Sequence, residues 1–261
     1  MEKRILHTNN LSIGYRSKKS ETVIANEISI SLEAGKLISL IGANGIGKST
    51  LLRTLTGIQR PLQGEVLLDG QSVGNYSSAE LSQKLSLVLT EKLPPSNLTV
   101  FELIALGRQP YTNWIGKLSP EDITQVNEAM RLTGTSHLAS SKHFQISDGQ
   151  LQNVLVARAL AQNTPLIVLD EPTTHLDLQH KAAMFKLLKK LSSETGKCVL
   201  FSTHDIDMAI QLSDEIIVMT PNKITQANPQ RLTSDGIFDT LFADDGIVFD
   251  REKQRFVFSG I

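Results

Sequence analysis

The sequence predicts an α/β protein built on a mostly parallel sheet, with an antiparallel β subdomain ahead of it and a helical subdomain inserted into it. Three observations predict this. The segment Ala25–Gly35, ANEISISLEAG, alternates in strand fashion and places Ile28, Ile30 and Leu32 on one face. Residues from about 98 to 145 read as helical. From Ser147 to Ile217, short apolar runs (PLIVLD, CVLFS, EIIVM) alternate with helical patterns (LQNVLVARALA, KAAMFKLLKKLSSE, IDMAIQLS), the mark of parallel strands covered on both faces.

Taken in order, Lys36–Ile41 is a short apolar strand that feeds the glycine-rich stretch Gly42, Ala43, Asn44, Gly45, Ile46, Gly47, Lys48, Ser49, Thr50. The helical LLRTLTG then stops at Gly57, and EVLLDG with SVG gives a second strand pair after Pro61 and Gly64. In the helical stretch, Thr99-Val-Phe-Glu102 fits a capping box with Gly107 as the stop. Ser119-Pro-Glu-Asp122 is a second start signal, with Pro120 at the first helical position. The tail GIVFDREKQRFVF predicts a hairpin turning at Asp250–Lys253.

The spacing of Gly42, Gly47, Lys48 and Ser49 is G-x-x-x-x-G-K-[ST], between an apolar strand and a helix. Glycines let backbone N–H groups turn inward around phosphate oxygens, and the following helix points its positive end at the same anion. Lys48 is expected to reach the β/γ-phosphates and the Ser49 hydroxyl to bind Mg²⁺, in a P-loop NTPase core. Phosphoryl transfer also needs a metal-holding carboxylate at a neighbouring strand end. The run Leu166–Leu169 supplies it in Asp170, and Glu171 can take a proton from the attacking water. His204 ends the next strand and is expected to contact the γ-phosphate, because strand ends in such sheets face the ligand crevice. ATP and Mg²⁺ are therefore the expected cofactors.

Composition narrows the class. The 26 basic and 27 acidic residues, net −1, argue against a protein that coats nucleic acid by charge alone. The single cysteine, Cys198, cannot form an internal disulfide or a multi-thiol metal site, so a reducing compartment is the natural reading. The N-terminus lacks the apolar core of a signal peptide, and no run has the roughly 18 apolar residues of a spanning helix. The chain is expected to be soluble, with any membrane role supplied by a partner.

The order of glycine loop, Ser147–Gln150, Asp170–Glu171 strand and His204 resembles the nucleotide-binding subunit of ATP-binding-cassette (ABC) transporters. The resemblance implies an ABC ATPase cassette over residues 3–235, with a helical insertion at about 98–160 and a short tail at 236–261. Ile146-Ser147-Asp148-Gly149-Gln150 lines up with the family's LSGGQ signature, and Ser147 can cap the helix that follows. In the family this signature closes over the ATP of a second copy, so Ser147, Asp148, Gly149 and Gln150 are expected to act in trans across an ATP-sandwich dimer. By the same resemblance, Asp177 belongs to the loop that crosses the interface, and Tyr15 stacks on adenine. Two positions depart from the pattern. Asp148 replaces a glycine and sets a carboxylate near the place where a γ-phosphate docks, so it is expected to tune the rate. Thr90 stands where the family has a metal-touching glutamine; its hydroxyl is shorter than an amide, and Glu91 is the residue that could reach in its place.

The stretch TVFELIALGRQPY, with its GR-x-P step, resembles the importers of iron–siderophore complexes, haem and cobalamin. That resemblance implies partners: a second copy, two membrane-spanning permease subunits and, indirectly, an extracytoplasmic substrate-binding protein, with no nucleic acid. It also implies a cytoplasmic location on the inner face of the membrane. An exporter ATPase or a soluble non-transport cassette ATPase are the alternatives. The Arg108–Tyr111 region disfavours the first, and the lack of a tandem cassette or long coiled-coil insertion disfavours the second.

Overall fold

The computed structural model describes residues 3–18, 20–89, 96–241 and 247–258. Thr90 and Glu91 lie outside the described residues. The chain opens with β1 (Arg4–Arg16), β2 (Glu21–Ile28) and β3 (Ser31–Glu33), then β4 (Leu37–Gly42), whose six residues are all buried. Next come α1 (Lys48–Leu55), β5 (Gln63–Leu68), β6 (Gln71–Ser72), α2 (Ser78–Ser82) and β7 (Leu85–Val88). Three helices follow: α3 (Val100–Ala105), α4 (Pro120–Leu132) and α5 (Asp148–Ala161). The chain then runs through β8 (Leu166–Leu169), α6 (Leu178–Thr195), β9 (Cys198–Ser202), α7 (Ile206–Leu212), β10 (Glu215–Met219), β11 (Ile224–Ala227) and α8 (Pro229–Ser234). It closes with the antiparallel hairpin β12 (Ile247–Asp250) and β13 (Arg255–Phe258).

Two sheets organise these elements. One runs β11-β10-β4-β9-β8-β7, parallel except for the β10–β11 pair; the other, antiparallel, runs β2-β1-β5-β6 with β3 also on β1. The parallel strands are apolar at nearly every residue because both faces are buried. Leu37, Ile41, Ile167, Leu169, Val199 and Phe201 face the helical core. Their alternates Ile38, Leu40, Leu166, Val168, Cys198 and Leu200 face the core shared with the antiparallel sheet. Burial pushes the Cys198 thiol up to about 12, as fits a small core residue rather than a nucleophile.

The three α-helices between residues 100 and 161 begin where polar cap residues sit three positions before an acid or amide. Thr99–Glu102, Ser119–Asp122 and Ser147–Gln150 each form a reciprocal capping box. Gly107 does not act as a stop. The chain passes from α3 directly into a 3-10 segment, Leu106–Tyr111, and Gly107 sits inside it. A Cβ there would lie 2.2 Å from the Arg158 carbonyl oxygen, so this glycine permits a close approach to α5. Arg108 beside it is buried: Nε donates to Asp122 Oδ1 (2.8 Å) and a terminal nitrogen to the Ala161 carbonyl (2.8 Å). Its guanidinium lies 4.0 Å from the Tyr111 ring centroid, and the Tyr111 hydroxyl donates to the Gln162 carbonyl. The GRQPY string is thus the pin that fastens α3 and α4 to the end of α5. In the SVG stretch, only Ser72 is strand; Val73–Asn75 is a 3-10 turn.

Candidate nucleotide site

The parallel sheet brings the ends of β4, β9 and β8 side by side in that order, so residues that follow these strands share one edge. After β4 the chain turns through Gly42–Gly47 into α1. Gly47 precedes the helix at φ 110°, a conformation that favours glycine, and a Cβ on it would strike Ile24 at 2.4 Å. No side chain caps α1 and no acid sits in its first turn, so its N–H groups face the loop. Lys48 is 6% exposed, and its Nζ donates to the carbonyls of Gly42 (3.1 Å) and Ala43 (3.2 Å). Burial pulls the Lys48 ammonium below its ordinary range, while the carboxylates of Glu171 and Asp170 push it back up. Those opposing carboxylates place the loop lysine and the end of β8 in one electrostatic neighbourhood. Ser49 and Thr50 start α1 beside it, with Thr50 buried.

Asp170 and Glu171 leave β8 and are joined through a residue that sequence reasoning missed. Ser202, the last residue of β9, donates from Oγ to Asp170 Oδ1 (2.6 Å) and accepts the Glu171 N–H at 2.9 Å. Glu171 has φ 51°, in the left-handed region where a non-glycine residue is strained. The Ser202 bond holds that backbone. The Glu171 side chain is held at both oxygens: Oε1 lies 2.6 Å from His204 Nε2, and Oε2 accepts the Thr174 hydroxyl at 3.0 Å. The signal that could have found Ser202 was its chemistry: a lone polar residue at the end of CVLFS must bond to something when fully buried.

Tyr15 is 54% exposed at the end of β1, and its hydroxyl shares a 2.9 Å hydrogen bond with the Thr50 hydroxyl. It therefore stands at the mouth of the glycine loop, on a groove of about 730 Å³ lined also by Arg53, Gln59 and Leu89.

The remaining residues lie elsewhere. Ser147 caps α5, its Oγ accepting the Gln150 N–H at 3.3 Å while its own N–H donates to Gln150 Oε1 at 3.0 Å. Asp148 and Gly149 form the first turn of that helix, and Asp148 is exposed. Asp177 caps α6, its Oδ1 accepting the His180 N–H at 2.8 Å. The structure therefore gathers Tyr15, the loop, Asp170, Glu171 and His204 along the strand ends. It sets Ser147–Gln150 and Asp177 on a separate, exposed surface.

Comparison with known proteins places the chain among relatives that it covers over most of its length. Residues 25–174 match the family described as ABC transporter. The chain is 37% identical over 233 residues to the achromobactin transport ATP-binding protein CbrD of Dickeya dadantii, covering 89% of this chain and 85% of that one. It is 35% identical over 252 residues to the iron(3+)-hydroxamate import ATP-binding protein FhuC of Bacillus subtilis, covering 96% and 92%. The solved dimeric ATP-binding cassette MJ0796, bound to ADP and Pi in a post-hydrolysis state, superposes with a TM-score of 0.73 at 29% identity, covering 86% and 99%.

Proposed function

The chain belongs to the ABC transporter family, and from that premise we propose that it is the subunit whose ATP hydrolysis energises import of an iron–siderophore complex or a related iron chelate. The relatives named for achromobactin and iron-hydroxamate transport support the cargo class. The dimeric cassette supports pairing with a second copy. No helix among the described residues is long and apolar enough to cross a membrane, so the translocation path is assigned to two permease subunits on which the pair docks. An extracytoplasmic binding protein delivers the cargo to them.

The observation that carries the hydrolytic role is the bonded chain Asp170–Ser202–Glu171–His204 at the edge that also holds Lys48. The loop amides and the start of α1 bind the phosphates, with Lys48 drawn from its loop carbonyls towards the β/γ oxygens. Tyr15 covers the base. Ser49 and Asp170 are hard oxygen donors, the set that would suit Mg²⁺, and Ser202 fixes one Asp170 oxygen by donating to it. Mg²⁺ held there would supply charge neutralisation to the phosphate chain. His204 gains a competing acceptor in the γ-phosphate, which frees Glu171 Oε1 to take a proton from the attacking water. Ser147–Gln150 and Asp177 serve the nucleotide of the second copy.

Glu171→Gln tests this reading. It should cut hydrolysis roughly 10²- to 10⁴-fold, the range of a lost general base. ATP binding should persist and ATP should convert the chain to a dimer in size-exclusion chromatography. Unchanged turnover would remove Glu171 as the base. Uptake of ferric siderophore by cells carrying only this variant should fall in step; uptake of haem or cobalamin falling instead would reassign the cargo.

A further inference from the structure

The two exposed elements assigned to the second copy's nucleotide touch through a side chain that neither motif includes. His180 is the third residue of α6, and its ring turns back on the start of that helix. Its Nδ1 lies 2.8 Å from Asp177 Oδ1, the same oxygen that accepts the His180 backbone N–H at 2.8 Å. An ionised carboxylate can only accept, so Nδ1 is the donor in this contact, and the bonds from the His180 backbone and then its ring hold the Asp177 carboxyl below its usual range. The Cδ2 side of the ring lies against Gly149 in the first turn of α5. A Cβ built there would sit 2.9 Å from His180 Cδ2, 3.4 Å from Cγ and 3.5 Å from Nε2. The Asp177 and His180 side chains are 66% and 56% exposed, so the rest of the fold does not cover this contact.

We propose that His180 is a positioning residue that fixes the Asp177 loop against the first turn of α5, so that both reach the second copy's ATP as one rigid unit. The inference rests on the trans-acting role proposed above for these elements. Hydrogen bonds to Asp177 at one edge determine the ring's orientation, and the absence of a side chain at 149 gives it room. Gly149 is thus required by the ring. A methyl group at 149 displaces the ring, because an exposed histidine is the softer partner, and the displaced ring gives up Asp177.

The test is a double-mutant cycle on the full-length chain, read by ATPase kinetics and thermal melting. His180→Ala should lower kcat roughly tenfold and leave the KM for ATP within about twofold, the pattern of lost alignment rather than lost binding. Gly149→Ala should give a similar loss although its Tm holds or rises, since alanine is the better helix former. The double variant should be no slower than either single one, because both remove the same contact. His180→Asn, whose amide can occupy the Nδ1 position and donate to Asp177, should recover most of the rate.

Full activity in His180→Ala would overturn the proposal, and so would a double variant whose losses multiply. Failure of His180→Asn to recover would do the same for the Asp177 bond as the positioning contact. ATP-driven dimerisation of Glu171→Gln separates the two levels. If that dimer fails to form, the trans reading falls and takes this inference with it. If it forms while the cycle shows no coupling, only His180 loses its role.

Discussion

The strand-end edge and the α5–α6 surface, both assigned to phosphate in the function proposed above, are finished in opposite ways. At the edge, α1 starts uncapped from a glycine turn, Lys48 is buried, and Asp170, Ser202, Glu171 and His204 bond to one another. On the other surface, α5 and α6 are capped by their own Ser147 and Asp177, whose side chains stand in solvent. An uncapped helix start leaves its N–H groups for a ligand, whereas a self-capped one is already stable without one. The edge therefore presents uncapped helix N–H groups beside a buried lysine, whereas the α5–α6 surface satisfies its own helix starts.

Three substitutions should break or sharpen that contrast. The largest effect is expected from Lys48→Ala at the edge, which removes the loop's only side-chain cation. Nucleotide affinity should fall so far that hydrolysis drops by about 10³-fold or more, checked with a fluorescent ATP analogue and phosphate release. Retained affinity would undo the division, because the edge would then bind without its central charge.

Arg108→Ala comes next and should act on the fold alone. It strands Asp122 in the interior and should cost about 3–5 kcal/mol in urea unfolding while ATP affinity stays unchanged. Burial pushes the Asp122 carboxyl up, but bonds from Ser119 and Arg108 outweigh this and hold it below its ordinary value. A depressed carboxylate stabilises the fold above its unfolded pKa and loses that contribution as pH falls through the folded one. The wild type should therefore lose this support only below the ordinary carboxylate range, and Arg108→Ala should flatten that acid limb.

Ser202→Ala should be the mildest of the three. It leaves one Asp170 oxygen and the Glu171 N–H without their partner, at about 1–3 kcal/mol. Because it also loosens a strained residue, kcat should fall by more than the loss of stability alone explains, with dimerisation intact. If the defect appeared in dimerisation instead, the edge and the α5–α6 surface would not be separable.

Much of the fold was legible because its chemistry is local. The parallel strands show as apolar runs, and the helix starts show as a capping box at Thr99–Glu102, a start signal at Ser119–Asp122 and a cap at Ser147. The glycine loop and the Asp170–Glu171 pair show because each is a fixed run of residue types at the end of an apolar strand. Other features have no local signal. Gly107 resembles a helix stop until Arg158, fifty-one positions away, is seen pressing against it. Ser202 and His180 act through residues distant in sequence or on another helix. β11 escapes because Ile224–Ala227 is half-buried throughout and does not alternate, and α8 because its six residues are too few for a period. The GRQPY string carried the subgroup resemblance, and the structure gives it a packing task between α4 and the end of α5.

The position of β4 has a consequence for how the protein is made. This strand is synthesised well ahead of its two neighbours, β9 and β10, and Gly42 pairs with Met219, 177 positions later. At roughly 5–20 residues per second, an apolar strand and its glycine loop wait about 10–35 s on the ribosome before a sheet exists to receive them. Nucleotide cannot assist folding until that closure, and the long-range pairing makes the last step the slow one. The nascent chain is most exposed to aggregation just before it acquires the ability to bind ATP.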